Sequence, residues 1–287
     1  MATITFLGRD DDWENPDNWD GHALPVDADD VIVPRTARSS LIRHVDRRGD
    51  SGGVGLALNS FIVHRGYRGD IGGEGAPFCA SVNNATVTLP SIICRGTGSV
   101  HFADIGLPVA SKILVNSPNQ RNALQLMSTT GHSAIGALTV VNGHAHAVGD
   151  FGVIDTLLVA TRPAPSTPVQ SVARVSLSNN AAVLYGYMGS GEVECKGTCT
   201  SLTMCGGTWR QGDKAITVNV VGGGRFILNS TTVQNTVYLM GGVYDTTESD
   251  EPKTITSLYK FPSATLKKSD GLTIANAFDV FDESWTG

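Results

Sequence analysis

Charge is scarce along most of this chain. Residues 80–190 hold three acids (Asp104, Asp150, Asp155) and five bases, against eleven acids and six bases in residues 1–50. The middle must therefore be solvated by hydroxyls, amides and backbone, which suits a rigid element lying beside other protein. No run of Lys or Arg exceeds two (Arg47-Arg48, Lys267-Lys268) and the net charge is −6. The electrostatic footprint of a nucleic-acid or anionic-membrane binder is missing, and neither partner is expected. No stretch approaches 18 apolar residues, and the opening Met-Ala-Thr-Ile-Thr-Phe has neither a basic n-region nor an apolar h-region. The expectation is a soluble chain made in the cytoplasm. Cysteine is too sparse for a secreted disulfide framework: Cys79, Cys94, Cys195, Cys199 and Cys205 are an odd number in 287 residues and are expected reduced.

Helical stripes are missing too; in their place stands strand alternation. Between Ile135 and Tyr244 short alternating apolar runs are separated by pairs of small residues, at 179/180, 206/207, 222/223 and 241/242. Leu202-Thr-Met-Cys-Gly-Gly-Thr-Trp209 recurs as Val237-Tyr-Leu-Met-Gly-Gly-Val-Tyr244, 35 positions later. Period-2 alternation buries one face of a strand, and recurrence over tens of residues marks stacked units. The fold this implies is all-β, a right-handed parallel β-helix with capping terminal segments. The steps between the small pairs are 27, 16 and 19, and such uneven spacing also fits a β-sandwich or jelly roll.

The pattern divides the chain into an N-terminal cap or attachment segment (1–50), a solenoid body (51–245) and C-terminal strands with an acidic, aromatic tail (246–287). In the first part, strands at 3–6 and 30–33 flank a turn-rich stretch carrying Trp13 and Trp19. A solenoid's first rung exposes an edge and an apolar interior, so a packed cap is required there. The prolines of 162–168 mark an insertion between rungs. The acidic loop 246–252 is expected to end the repeat, and the tail carrying Phe281 and Trp285 either folds back as a second cap or docks on a partner.

Chemical constellations are thin. His144 and His146 share a strand face with Asp150 nearby, but no third ligand has metal-site spacing, so both are read as facing solvent beside a turn at Asn142-Gly143. Cys195, Cys199 and Cys205 lack zinc spacing and read as core. Glu192 and Glu194 share a face as a glycosidase pair would, although Asp155, Asp213 and Asp245 add few further acids to the body. Gly222-Gly-Gly224 precedes a strand rather than a helix, so it is a turn and not a phosphate cradle. No catalytic residue, metal or cofactor is expected.

Trp13-Glu-Asn-Pro-Asp-Asn-Trp19, then Gly21, Leu24-Pro25 and Asp29-Asp-Val-Ile-Val33, resembles an opening found on repetitive β proteins of phages and bacterial surfaces. The match covers about the first 35 residues; the chain beyond them is similar to the β-helices of phage virion proteins. That resemblance implies a non-enzymatic virion structural protein, foremost a capsid decoration or cement protein bound to the outer capsid surface. Its partners would be the major capsid protein or other virion proteins, with self-association, a trimer for instance, as a further expectation. Trp13, Trp19, Phe281 and Trp285 are the candidate partner-binding anchors, because interface energy concentrates in buried aromatics. The alternative is a tail-appendage β-helix that binds or cleaves carbohydrate. A bacterial surface adhesin is disfavoured by the missing export signal.

Overall fold

The structure, a computed structural model, describes residues 2–46, 56–73, 75–79, 81–82, 92–103, 112–128, 134–149, 152–161, 172–212, 214–229 and 231–280. Within them 21 strands join one continuous network in which every strand pair is parallel, and no α-helix forms. The protein is a parallel β-helix.

Two walls carry the coil. The first stacks Thr3–Thr5, Asp30–Val33, Ser60–Val63, Ile92–Cys94, Lys112–Asn116 and the first half of Ala134–Gly149. It continues through Val153–Val159, Ala182–Met188, Thr198–Met204, Ile216–Val221, Val233–Leu239, Lys253–Lys260 and Leu272–Asp279. The second runs from Val100–Ala103 through Leu124–Ser128, the second half of Ala134–Gly149, Ala173–Leu177, Glu192–Cys195, Thr208–Gln211, Arg225–Leu228 and Val243–Asp245 to Thr265–Lys267. Alternation turns every second side chain inward, apart from local bulges: Ile154, Leu157 and Val159 of one rung are all fully buried. Trp209, Phe226 and Tyr244 sit in register on successive rungs of the second wall, and the last two rings stack at 4.7 Å. Cys94, Cys195 and Cys199 lie in this interior, where burial pushes the thiols of Cys94 and Cys195 up to about 12; no disulfide links Cys94, Cys195, Cys199 or Cys205, and Cys205 is exposed.

The structure resolves the 35-residue repeat and corrects two expectations. The repeat spans two coils: Leu202, Asn219 and Val237 pair in sequence across the first wall, as Thr208, Arg225 and Val243 do across the second. Loop 246–252 does not end the repeat, since the ladder continues in register to Asp279. The strands at Thr3–Thr5 and Asp30–Val33 belong to the same ladder, so the cap proper is the excursion between them. The expected proline insertion at 162–168 lies outside the described residues.

Asn219 carries a measurable consequence. It is fully buried and neither its amide nitrogen nor its oxygen has a hydrogen-bond partner among the described residues. A buried unpaired polar group costs roughly 1–3 kcal/mol. Asn219→Val, which matches Val237 one coil on, is expected to raise unfolding free energy by about 1–2 kcal/mol; a lower denaturation midpoint would show that this amide is satisfied.

Candidate interaction surfaces

The N-terminal cap explains its own sequence. Asn18 lies buried at its centre: its side-chain oxygen accepts the backbone N–H groups of Arg9 and Asp10, both at 2.9 Å, and its amide donates to the Asp12 carbonyl at 2.7 Å and to the Asp10 carboxylate. Asn15 and Pro16 start a one-turn 3₁₀ helix, Pro16–Asn18, with the Asn15 side chain accepting from the Asp17 N–H. Asp20 takes the Thr5 N–H at 2.5 Å, and the Asn18 carbonyl takes that of Leu7, so donors along the open edge of the first rung are satisfied from within the chain. Such capping of an edge opposes unwanted strand addition. Asp29 accepts from Ala2 and Val26, which pins the start of the second rung.

Trp13 and Trp19 pack edge-on at 4.7 Å, Trp13 lies 5.1 Å from Phe78 and Trp19 lies 5.4 Å from Phe6. Both indoles are fully buried. Neither therefore presents a ring to a partner; their apolar area is used in closing the end of the core. Phe281 and Trp285 lie outside the described residues.

The second wall carries ions on its outer face. His144, Arg174, Glu192, Thr208 and Arg225 form one outward column, and His146, Ser176, Glu194 and Arg210 the next. Arg174 pairs with Glu192 at 2.9 Å and Lys196 with Glu194 at 3.8 Å. Loop 246–252 folds back over this wall rather than leaving it: Glu248 reaches Arg210 and Arg225, and Arg225 meets the fully buried Asp245 carboxylate at 2.8 Å. Burial pushes Asp245 up, but the Thr247 hydroxyl and N–H together with Arg225 outweigh it and hold the acid down at about 2. Sequence reading missed this cluster because its partners come from three coils.

Between these columns lies a trough of about 480 Å³ lined by His144, Arg174, Ser176, Glu192, Glu194 and Arg210 among others. The two histidines face outward as expected, and both are held by neighbours. Their rings lie 3.7 Å apart, His144 Nε2 meets the Ser176 hydroxyl at 2.9 Å, and His146 Nε2–H donates to the Arg121 carbonyl at the same distance. Partial burial, with His146 and Arg174 alongside, lowers His144 to about 4. At the expected turn, Gly143 with a φ of +88° bends one continuous strand from the first wall onto the second. Glu192 and Glu194 do share the outward face, each beside a cation. Asp150 and Asp213 lie outside the described residues, among which no three His, Cys, Asp or Glu side chains are placed to hold a metal.

The first wall is different. One outward column runs its whole length: Thr5, Ile32, Ile62, Ile93 and Leu114 in the first five rungs, then Thr139, Leu158 and Tyr187. It ends through Thr203 and Val220 in Tyr238, Tyr259 and Phe278, whose rings stack at 4.9 and 4.8 Å. No member of the column is charged. Tyr185 stands in the adjacent outward column, which is uncharged from Ala137 through Asn276.

Comparison with family models, with curated proteins and with solved structures finds no match to this chain. The described residues include no helix long and apolar enough to cross a membrane.

Proposed function

We propose that this chain is a non-enzymatic virion structural protein of a phage, made in the host cytoplasm and mounted on the outer surface of the capsid as a decoration or cement protein. The observation that carries this reading is the continuity of the first wall, whose parallel register runs from Thr3 to Asp279 behind a closed N-terminal cap. A ladder in which each rung satisfies its neighbours' backbone makes a stiff rod, the mechanical property a cementing part needs. The Trp13-to-Val33 opening supports the same reading, because the resemblance it carries is to phage and surface β proteins. With Trp13 and Trp19 used in the cap, Phe281 and Trp285 are the anchors to test. Purified protein should co-sediment with expanded, undecorated phage capsids in a fixed, saturable ratio to the major capsid protein, and Trp285→Ala should lower that occupancy at least tenfold without moving the melting transition. No saturable binding would sink the assignment.

One observation favours a second reading. The trough on the second wall presents arginine, glutamate and histidine side by side, which suits a polar, extended ligand such as a glycan on a tail appendage. A glycan-array screen distinguishes it: a hit weakened by Arg174→Ala favours the appendage, and a blank array counts against it.

A further inference from the structure

We propose that the uncharged outer face of the first wall is the surface on which a second copy of this chain docks, the two rods lying side by side. Such pairing goes beyond the capsid reading and does not depend on it.

Three observations converge on that face. First, its chemistry is unbroken: the outward column stays uncharged for all thirteen rungs, and the charges on the same strands are few, namely Asp30, Lys112, Lys253, Lys260 and Asp279, and Asp155 beside Thr156. Second, the large apolar groups on it are exposed. Leu158 is 39%, Tyr187 46%, Tyr238 37% and Phe278 47% accessible, and Tyr185 in the adjacent column 48%. Scattered exposed apolar residues need no partner, but Leu158, Tyr185 and Tyr187 group on adjoining rungs and Tyr238, Tyr259 and Phe278 stack further along the same wall, and such grouping marks an interaction surface. Third, its size is right. Thirteen strands about 4.8 Å apart make the first column about 58 Å long and about 6.5 Å wide, and the eight uncharged rungs of the adjacent column, Ala137 to Asn276, add about 34 Å of the same width. Together they cover roughly 600 Å², or about 1,200 Å² for a pair, the lower end of a specific interface.

The occupant follows from the period and the charge. A rod of parallel strands repeats its side chains at the spacing between rungs, and another copy offers a surface with the same repeat along the same length. Because the two columns carry no formal charge from Ala137 to Asn276, with only Asp155 bordering them beside Thr156, bringing the face against itself meets little like-charge repulsion, the usual obstacle to an isologous contact. The second wall, with its arginines and glutamates paired among themselves, offers no such face. An antiparallel arrangement about a two-fold axis sets the aliphatic half, Ile32 to Leu114, against the aromatic half, Tyr238 to Phe278.

The test is the mass of the free protein, measured by sedimentation velocity over a wide concentration range on the full chain. The expected result is at least twice 30.2 kDa. Tyr238→Lys combined with Leu158→Lys puts like charges across the contact and should weaken association more than a hundredfold, leaving a monomer. Both side chains point outward, so the melting transition should hold; if it drops, Tyr187→Lys alone serves as the second variant. Arg210→Ala on the second wall should leave the mass unchanged. A 30.2 kDa species at every concentration, or an oligomer that keeps its mass in the folded lysine variants, overturns the inference. A monomer that still saturates capsids overturns this pairing alone, and a dimer that ignores capsids overturns the capsid reading alone.

Discussion

Trp19→Ala is expected to lower the unfolding free energy by about 3–5 kcal/mol, the range for deleting a fully buried large aromatic. The indole touches Phe6 and Trp13, and its Nε1–H donates to the Trp13 carbonyl at 2.9 Å. Removing it therefore opens a cavity and leaves that carbonyl without its donor, at the end of the core where only one side has a further rung to support it. The effect should be local in origin: the Asn18 network would lose the neighbour it is built against, and the donors of the first rung, held by Asp20 and Asn18, would become accessible. Equilibrium denaturation reads the stability loss, and hydrogen exchange at Thr5 and Leu7 should quicken more than exchange at Val220. A variant with unchanged midpoint and exchange would mean that the indole packs more loosely than its burial implies.

Gly224→Ala is expected to be nearly as damaging, at about 2–4 kcal/mol. Gly191, Gly207, Gly224 and Gly242 all have positive φ, 103°, 78°, 77° and 68°, and stand at the same corner of successive coils. A Cβ built on Gly224 would lie 2.4 Å from the Gly207 carbonyl oxygen and 2.6 Å from the Gly206 carbonyl carbon, and one on Gly242 would lie 2.5 Å from the Gly224 oxygen. These are backbone atoms fixed by the ladder, so neither chain can move aside, and a side chain there would also hold an unfavourable left-handed conformation. Gly73→Ala is the control, because nothing lies within 4 Å of its added carbon; its melting temperature should match the parent's. Equal effects at the two positions would remove the steric argument.

The same glycines show where sequence reading stopped short. The small pairs at 206/207 and 241/242 do lie at this corner, but 179/180 belongs to a different bend, and its inclusion produced the uneven steps that left a sandwich open. Counted from the left-handed glycine of each coil, 191, 207, 224 and 242, the rungs advance by 16, 17 and 18 residues, and the irregularity disappears. Composition cannot tell a corner glycine from any other, since the distinction is a backbone angle imposed by the coil beneath.

Strands were legible where an apolar or alternating run met a clear boundary. Val153–Val159, Glu192–Cys195, Ile216–Val221 and Arg225–Leu228 are legible in the sequence with the bounds they have, each with a glycine directly at one end. Ile92–Cys94, Thr208–Gln211, Val243–Asp245 and Thr265–Lys267 were missed as strands. Their strand state comes from the neighbouring coils to which they bond. Asp245 is the sharpest case: an acid ending a short segment reads as surface, yet it is fully buried beneath Arg225 and its own loop.

By itself, the sequence determined that this chain is all-β, that its strands have one buried face and that most of its cysteines pack as small apolar groups. Each of these rests on local chemistry: alternation, turn residues, and side chains with too little charge to stay outside. Tertiary structure alone decided the period of the coil, the continuation of the ladder past residue 246, and the burial of both cap tryptophans. It also decided the division of the surface into an ionic wall and an uncharged one. Those depend on which residues, tens of positions apart, come into register, and register is settled by the stacked coils together rather than by any one of them.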